Sequence, residues 1–593
     1  MTLQSWLKEF PQRVLRRKNL RGRRRFQHIS IPRSAACRHF APAVESFEDR
    51  VLPASFTWVG DVNSLWSHNV ASDTNWSDDG LPADGDSLFF GESVRATIDN
   101  DLTADSSYTM TFTTGGYTVT GHGIALRNAG TDVIQIAGEN LLQTPLEFSA
   151  SELDVQSGVL IIDSNATGTG GLTKSGSGTL VISGPAEWSG ITAVSAGTLQ
   201  LDSVLQSSDP LTVASAAVLT GHGGTTAALD VSGTLAPTPD SDGFTAAAAE
   251  FHDTATLEIT IAGREPGNFT KLVITDSAIL DGTLAVTFAN DFQPSPGDTF
   301  EILAAGSVTG TIKNWSGLDY GSGSLLPVQT PTGLLLIASP YATDTVSLKL
   351  DDAADATALA SFFAADADPT QSVSFTGVLC TLQQQLTGSF TFSRTLLADG
   401  TTTVVSIQAA NATLAIHGET AQLISIADGS GSFLMTNNGL WGQLAVSLSE
   451  TLLDLQLSGS FSLLINTSDN PAPGILELPA GPFLRFSATD AALNTAAGLI
   501  TGPLTIEASL EADGPALRFA EQGLRVFYGS DAGTATLSDD WGAVIESATL
   551  AGIVAADGTV ALAASGDVAL LQTGDLQLSG VAVATLNTTG SDW

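Results

Sequence analysis

The sequence predicts an all-β protein: a parallel β-helix followed by a second repetitive β module with longer, antiparallel strands. Three observations predict it. Short alternating strands separated by Gly, Asn or Asp recur from about 95 to 340. Beyond about 371 the alternating stretches become much longer, as in Leu455, Leu457, Phe461, Leu463 and Ile465, which keep period-two order across a glycine. Charged residues make up only 14% of the 593, against 59 glycines and a mean hydropathy of +0.19. That is too apolar for a disordered acidic chain.

The first 54 residues stand apart. Twelve of the 23 Lys and Arg lie in the first 50 positions, with a run through Arg13, Arg16, Arg17, Lys18, Arg21, Arg23, Arg24 and Arg25. The head carries about +8 and the remainder about −47, within a net −39. The abrupt change of composition marks residues 1–54 as a basic leader, disordered or processed. An acidic body with eleven scattered cations is a poor partner for nucleic acid, whose phosphates need Lys and Arg. No stretch reaches the 18 apolar residues of a membrane span. Cys37 and Cys380, far apart, give neither a disulfide framework nor a metal quartet.

Residues 55–340 are the expected β-helix. Trp58, Trp66 and Trp76 open it in a Gly/Asn/Asp-rich setting. They suit an aromatic cap over the first coil, and alternatively a glycan-contact platform, because ring faces stack on flat ligands. Short rungs then come at 156–163, 180–184, 191–194, 198–201, 211–213 and 229–231. Rungs this short cannot bury a face alone, so they must stack, and glycine at the corners permits positive φ and close backbone approach.

Within this region, Gly170-Gly171-Leu172-Thr173-Lys174-Ser175-Gly176-Ser177-Gly178-Thr179-Leu180 leads to Trp188-Ser189-Gly190 and closes with Val194-Ser195-Ala196-Gly197-Thr198-Leu199. The stretch resembles the autotransporter-associated β-strand repeat of bacterial surface and secreted passengers. Trp58, Asn75-Trp76 and the segment from Pro82 to Phe90 look like the start of such proteins, and Pro296-Gly297-Asp298-Thr299-Phe300 like their last coils. The resemblance spans roughly 56–340. It implies a right-handed parallel β-helix, an extracellular or cell-surface location, and no single activity. The family's usual outer-membrane barrel is expected to be missing from the C-terminus. The leader's Phe47-Glu48-Asp49-Arg50-Val51-Leu52-Pro53 is similar to a boundary motif of large exported planctomycete surface proteins.

Residues 341–370 are expected to form a short helical or linker segment, with 351–363 rich in Asp and Ala as the best helix candidate. Residues 371–593 are expected to form the repetitive β module. Gln385-Leu386-Thr387-Gly388-Ser389-Phe390 is echoed by Gln456-Leu457-Ser458-Gly459-Ser460-Phe461, and Asp-Gly pairs at 399–400, 428–429, 513–514 and 557–558 read as turns. The final residues look as if the repeat could continue.

No catalytic constellation stands out. The adjacent acids Asp78-Asp79 and Asp539-Asp540 sit in turn-like contexts, and neighbouring residues of a strand point to opposite sides. The histidines are isolated, without zinc spacing. Calcium is the one candidate cofactor: Asp240 and Asp242 flank a turn before Gly243, and a second acidic region runs from 529 to 542, yet neither forms an EF-hand loop. The expectation is a non-enzymatic secreted or cell-surface β-solenoid serving as spacer, matrix or display scaffold. A glycan-binding adhesin and a polysaccharide hydrolase or lyase are the alternatives. Surface glycans, other surface proteins and end-to-end copies through open sheet edges are the candidate partners.

Overall fold

The computed structural model describes residues 53–588 apart from 71–72, 78–79, 128–129, 342–345, 369, 383, 397–402, 418–421, 453–454, 472–477, 496–497, 509–516, 531–540, 556–558 and 572–578. The leader and the turns expected at 399–400, 513–514 and 557–558 lie outside the described residues, as do Asp78-Asp79 and Asp539-Asp540.

The first region is a parallel β-helix. A coil carries three short strands, such as Val159–Ile162, Ala166–Gly168 and Leu172–Ser175, and the next coil repeats them at Thr179–Ile182, Ala186–Trp188 and Thr192–Val194. Every strand pairs in parallel with its equivalent one coil on: Val159 on Thr179, Ala166 on Ala186, Leu172 on Thr192. Twenty residues therefore make one coil here. One face runs as an eleven-stranded parallel sheet. At a strand spacing of about 4.8 Å that is roughly 50 Å of stack.

Register turns the sequence alternation into columns. Met110, Val133, Leu153, Lys174, Val194, Val213, Val231 and Phe251 stack one above another along the inside of one face. All but one are apolar and all are buried. On the neighbouring column Trp58, Phe90 and Phe112 align, with Phe90 and Phe112 stacked at 4.7 Å. A core built this way grows coil by coil, since each rung hides the apolar face of the last. The apolar cluster is continuous from Phe56 to Ala338.

The solenoid ends in an antiparallel hairpin, Ser324–Thr330 with Gly333–Ser339. Nearly all of its residues are buried, because its two faces serve two cores. Leu325, Leu334, Leu336 and Ala338 belong to the solenoid core, whereas Leu326, Val328 and Ile337 belong to that of the second module. The helix Ala353–Phe363 packs beside it, with Asp352 capping its N-terminus through the Ala354 amide. Leu359, Phe362 and Phe363 enter the second core. Arg394, on a strand of the second module, donates to the carbonyls of Phe362 (2.6 Å) and Ala364 (2.9 Å), where the helix leaves its carbonyls unpaired.

The second module is an antiparallel meander of long strands, running from Ser372–Thr381 through Gln384–Leu396 and Thr403–His417 to Val560–Leu571 and Ser579–Asn587. Irregularities cross it in a line. Register shifts fall between Ala409 and Ala412, Ala427 and Ser430, Ser458 and Phe461, Ala488 and Ala491, and Glu546 and Thr549. An inserted residue bends a strand and flips the facing of every residue beyond it. Val405, Ile407 and Ala409 are buried before the shift, and Ala412 and Leu414 after it. Likewise Leu484, Phe486 and Ala488 give way to Ala491. The aligned bulges form a crease, and residues on both sides of it contribute to one apolar core. Asp428-Gly429, expected as a turn, lies inside the strand Gln422–Thr436 at this crease, with Asp428 at φ 55°. Asp-Gly supplies left-handed backbone to a bulge as readily as to a hairpin end.

On the first strand of this module Ser372, Ser374 and Thr376 are exposed while Val373 and Phe375 are buried.

Candidate functional site

The three opening tryptophans are core residues. Trp58, Trp66 and Trp76 are 1%, 0% and 3% exposed, which rules them out as an exposed sugar platform and leaves the cap. Trp76 meets Trp58 at 5.2 Å and Trp66 at 5.6 Å, both edge to face. The Trp58 indole N–H donates to the Arg95 carbonyl and that of Trp76 to the Trp66 carbonyl. The rings close the solenoid's first coil against water.

Asp240 and Asp242 occupy one turn, where the Asp240 carboxylate accepts the Asp242 amide at 3.0 Å. That Asx-type bond accounts for the acid before the glycine. Among the described residues no three His, Cys, Asp or Glu side chains stand together as a metal group. Most of the acidic region at 529–542 lies outside the described residues. Cys380 is a free thiol inside a strand, and burial pushes its pKa up.

Six of the eleven scattered cations form ion pairs. Arg264 pairs with Asp298 (2.6 Å), Lys313 with Asp281 (2.8 Å), Arg485 with Glu507 (2.9 Å) and Arg525 with Glu546 (3.1 Å). Arg127 pairs with Glu147, and Lys271 with Glu301 at 2.5 Å. Lys174 is the exception in kind. It is fully buried within an apolar column, and its ammonium donates to the carbonyls of Ser175 (2.9 Å), Gly176 (2.8 Å) and Ala196 (3.0 Å). Burial lowers its pKa to about 8, with nearby Asp154 opposing the shift. It ties the turn of its own coil to the turn of the next.

One outward column of the solenoid includes successive side chains left unpaired. Elsewhere polar side chains cross-link coils: Ser175 donates to Glu152 (2.7 Å), Ser183 to Asp163 (3.1 Å), and His252 meets Asp230 (2.7 Å). Along the other face, register places Glu147, Thr167, Glu187 and Gln206 in one outward column. Thr169, Ser189, Ser207 and Thr226 also line this recess, which encloses about 740 Å³, with Thr226 donating to the Ser207 carbonyl (2.9 Å) and the Ser207 hydroxyl to the Asp209 carbonyl (3.2 Å). The side chains of Thr167, Glu187 and Gln206 have no hydrogen-bond partner among the described residues. The floor is set by Gly168, which sits between Phe148 and Trp188 in the inward column and lets those rings meet at 5.3 Å. The spacing of these residues by about one coil is visible in the sequence, but only once the coil length is known. A second polar recess, of about 460 Å³, lies where turns near Gly321 and Pro340 face those near Asn438 and Ser468.

With this geometry in place, comparison with known families bears on one coil and a half. Residues 172–201 match the passenger-associated-transport-repeat family. The repeat spans Lys174, Trp188 and one of the strands that line the recess, Ala186–Trp188. The match agrees with an autotransporter-associated repeat protein and supports an extracellular or cell-surface location. No curated protein matches the chain. Among the described residues no helix is long and apolar enough to cross a membrane, a statement that leaves strands aside.

Proposed function

We propose that the protein is a secreted or cell-surface structural solenoid that acts as a spacer, matrix component or display scaffold, with no catalytic role. The observation that carries this reading is the unbroken apolar core of the solenoid, joined to the second module through a hairpin shared by both cores. Such a stack resists bending because each coil is held by its neighbours, which suits reach and presentation. The engaged cations support the non-enzymatic reading, since a polyanion lyase or hydrolase needs free positive charge at the reacting sugar.

The test is display on intact producing cells. An epitope inserted between Glu265 and Pro266, in an exposed turn, is expected to be reached by antibody without lysis. Access only after lysis would contradict the surface role. The purified chain is expected to release no reducing ends from cellohexaose or chitohexaose, and release would contradict the scaffold reading.

A further inference from the structure

We propose that the recess along the Glu147–Gln206 column is a binding groove for a linear, uncharged glycan lying along the solenoid axis. Three features point to that ligand. First, Thr167, Glu187 and Gln206 recur once per coil with unpaired side chains, between coil-to-coil bonds at either end of the recess, Arg127 with Glu147 and Thr226 with the Ser207 carbonyl. The coil rise of about 4.8 Å is close to the length of one hexose in an extended β-linked chain, so successive rungs meet successive sugars. Second, the two sides of the groove are complementary to polyols. Carboxylate and amide groups of the column take up sugar hydroxyls in pairs, and Thr169 and Ser189 add hydroxyls to the same recess. Third, the charge is selective. Glu147 is neutralised by Arg127, whereas Glu187 carries no ion pair and no cation lines the recess. Polyuronates and sulfated chains are thereby repelled.

The groove goes beyond the scaffold reading and can fail without it. It would give a display solenoid its own adhesive face, and it draws on residues that the repeat match alone does not single out.

The experiment is calorimetric titration of the full chain with cellohexaose, chitohexaose and a galacturonate hexamer, repeated on the double variant Glu187→Ala/Gln206→Ala. Both positions are on the surface, and an unchanged melting curve checks that the variant folds. At least one neutral hexamer is expected to bind saturably, with affinity falling about tenfold or more in the variant, and the galacturonate hexamer is expected not to bind. Three results would each overturn the proposal: no binding of either neutral hexamer, binding that the variant retains, or preference for the anionic hexamer. Neutral-sugar binding that instead falls on substituting Asn438 and Asp469 would move the site to the second recess and overturn it equally.

Discussion

The two regions of this molecule close a hydrophobic core in opposite ways. In the solenoid, short parallel strands turn every few residues and bury their inward side chains in columns shared with the coils before and after. In the second module, antiparallel strands of up to 15 residues run straight to a line of bulges and bend there, so that one sheet supplies both walls of its core. The first solution makes the backbone at each corner the tightest point. The second puts left-handed backbone at the crease, as at Asn411 and Asp428, and at Gly442 a tight contact under an aromatic ring. A similar Gly-rich, Thr/Ser-rich composition thus serves both designs, and glycine has a different task in each.

The costliest substitution separates those tasks. Gly158 has φ +73°, and a Cβ there would collide with the Gly138 carbonyl of the preceding coil. Gly158→Val combines left-handed strain with a backbone clash and is expected to cost about 4 kcal/mol. Urea unfolding should show the loss in the fluorescence of the buried solenoid tryptophans. An equal loss at Trp441, in the second module, would erase the distinction between the cores.

Next comes the buried cation. Lys174 has its folded pKa lowered to about 8 from 10.5, so between those values the unfolded chain binds more protons than the folded one. Stability contributed by this group therefore rises as pH increases through that window, by up to about 3 kcal/mol, and is flat below about 8. Buried tyrosines oppose it above about 10, since burial pushes Tyr320 up to about 12 and its ionisation favours the unfolded chain. Denaturation between pH 7.5 and 9.5 should show the rise. Lys174→Met leaves three carbonyls without their donor and is expected to cost about 2 kcal/mol at neutral pH, and to abolish the rise. A variant that keeps the same pH slope would remove Lys174 as its source.

The last change lies in the second module. A Cβ on Gly442 would meet the ring of Phe433, a fully buried side chain on the neighbouring strand. The whole buried ring has to move, yet it can move where a backbone carbonyl cannot, so Gly442→Ala is expected to cost about 2 kcal/mol. A loss as large as that of Gly158→Val, measured in the same unfolding assay, would show the two glycines to be equivalent.

Much of this contrast was legible in the residues. The short rungs at 180–184 and 198–201 and the long alternation around Leu457 to Ile465 announced the two strand lengths, because period-two burial is local. The acidic, Ala-rich stretch after 351 marked the helix. The crease was not legible: Asp428-Gly429 carries the same signal for a bulge as for a turn, and only cross-strand register separates them. The shared hairpin was hidden for a related reason. Leu334, Leu335, Leu336 and Ile337 read as one apolar run, although alternate residues face two cores. Lys174 looked like one more scattered cation, since its column is visible only after coils are stacked. The groove escaped for the same reason. The tryptophans were legible as a cap or as a platform, and burial decided for the cap.

A spacer built from interchangeable coils is best tested by a distance measurement between spin labels at Thr97 and Asn314, on the first and last strands of the eleven-stranded face. Cys37 and Cys380 would be replaced by serine. Removing residues 159–178 excises one coil and joins Gly158 to Thr179 in register. A folded protein is expected, its labels closer by about 4.8 Å, and duplicating those residues should lengthen it by the same step. Loss of the fold on removing this whole coil, or a distance that does not track the number of coils, would contradict the modular spacer.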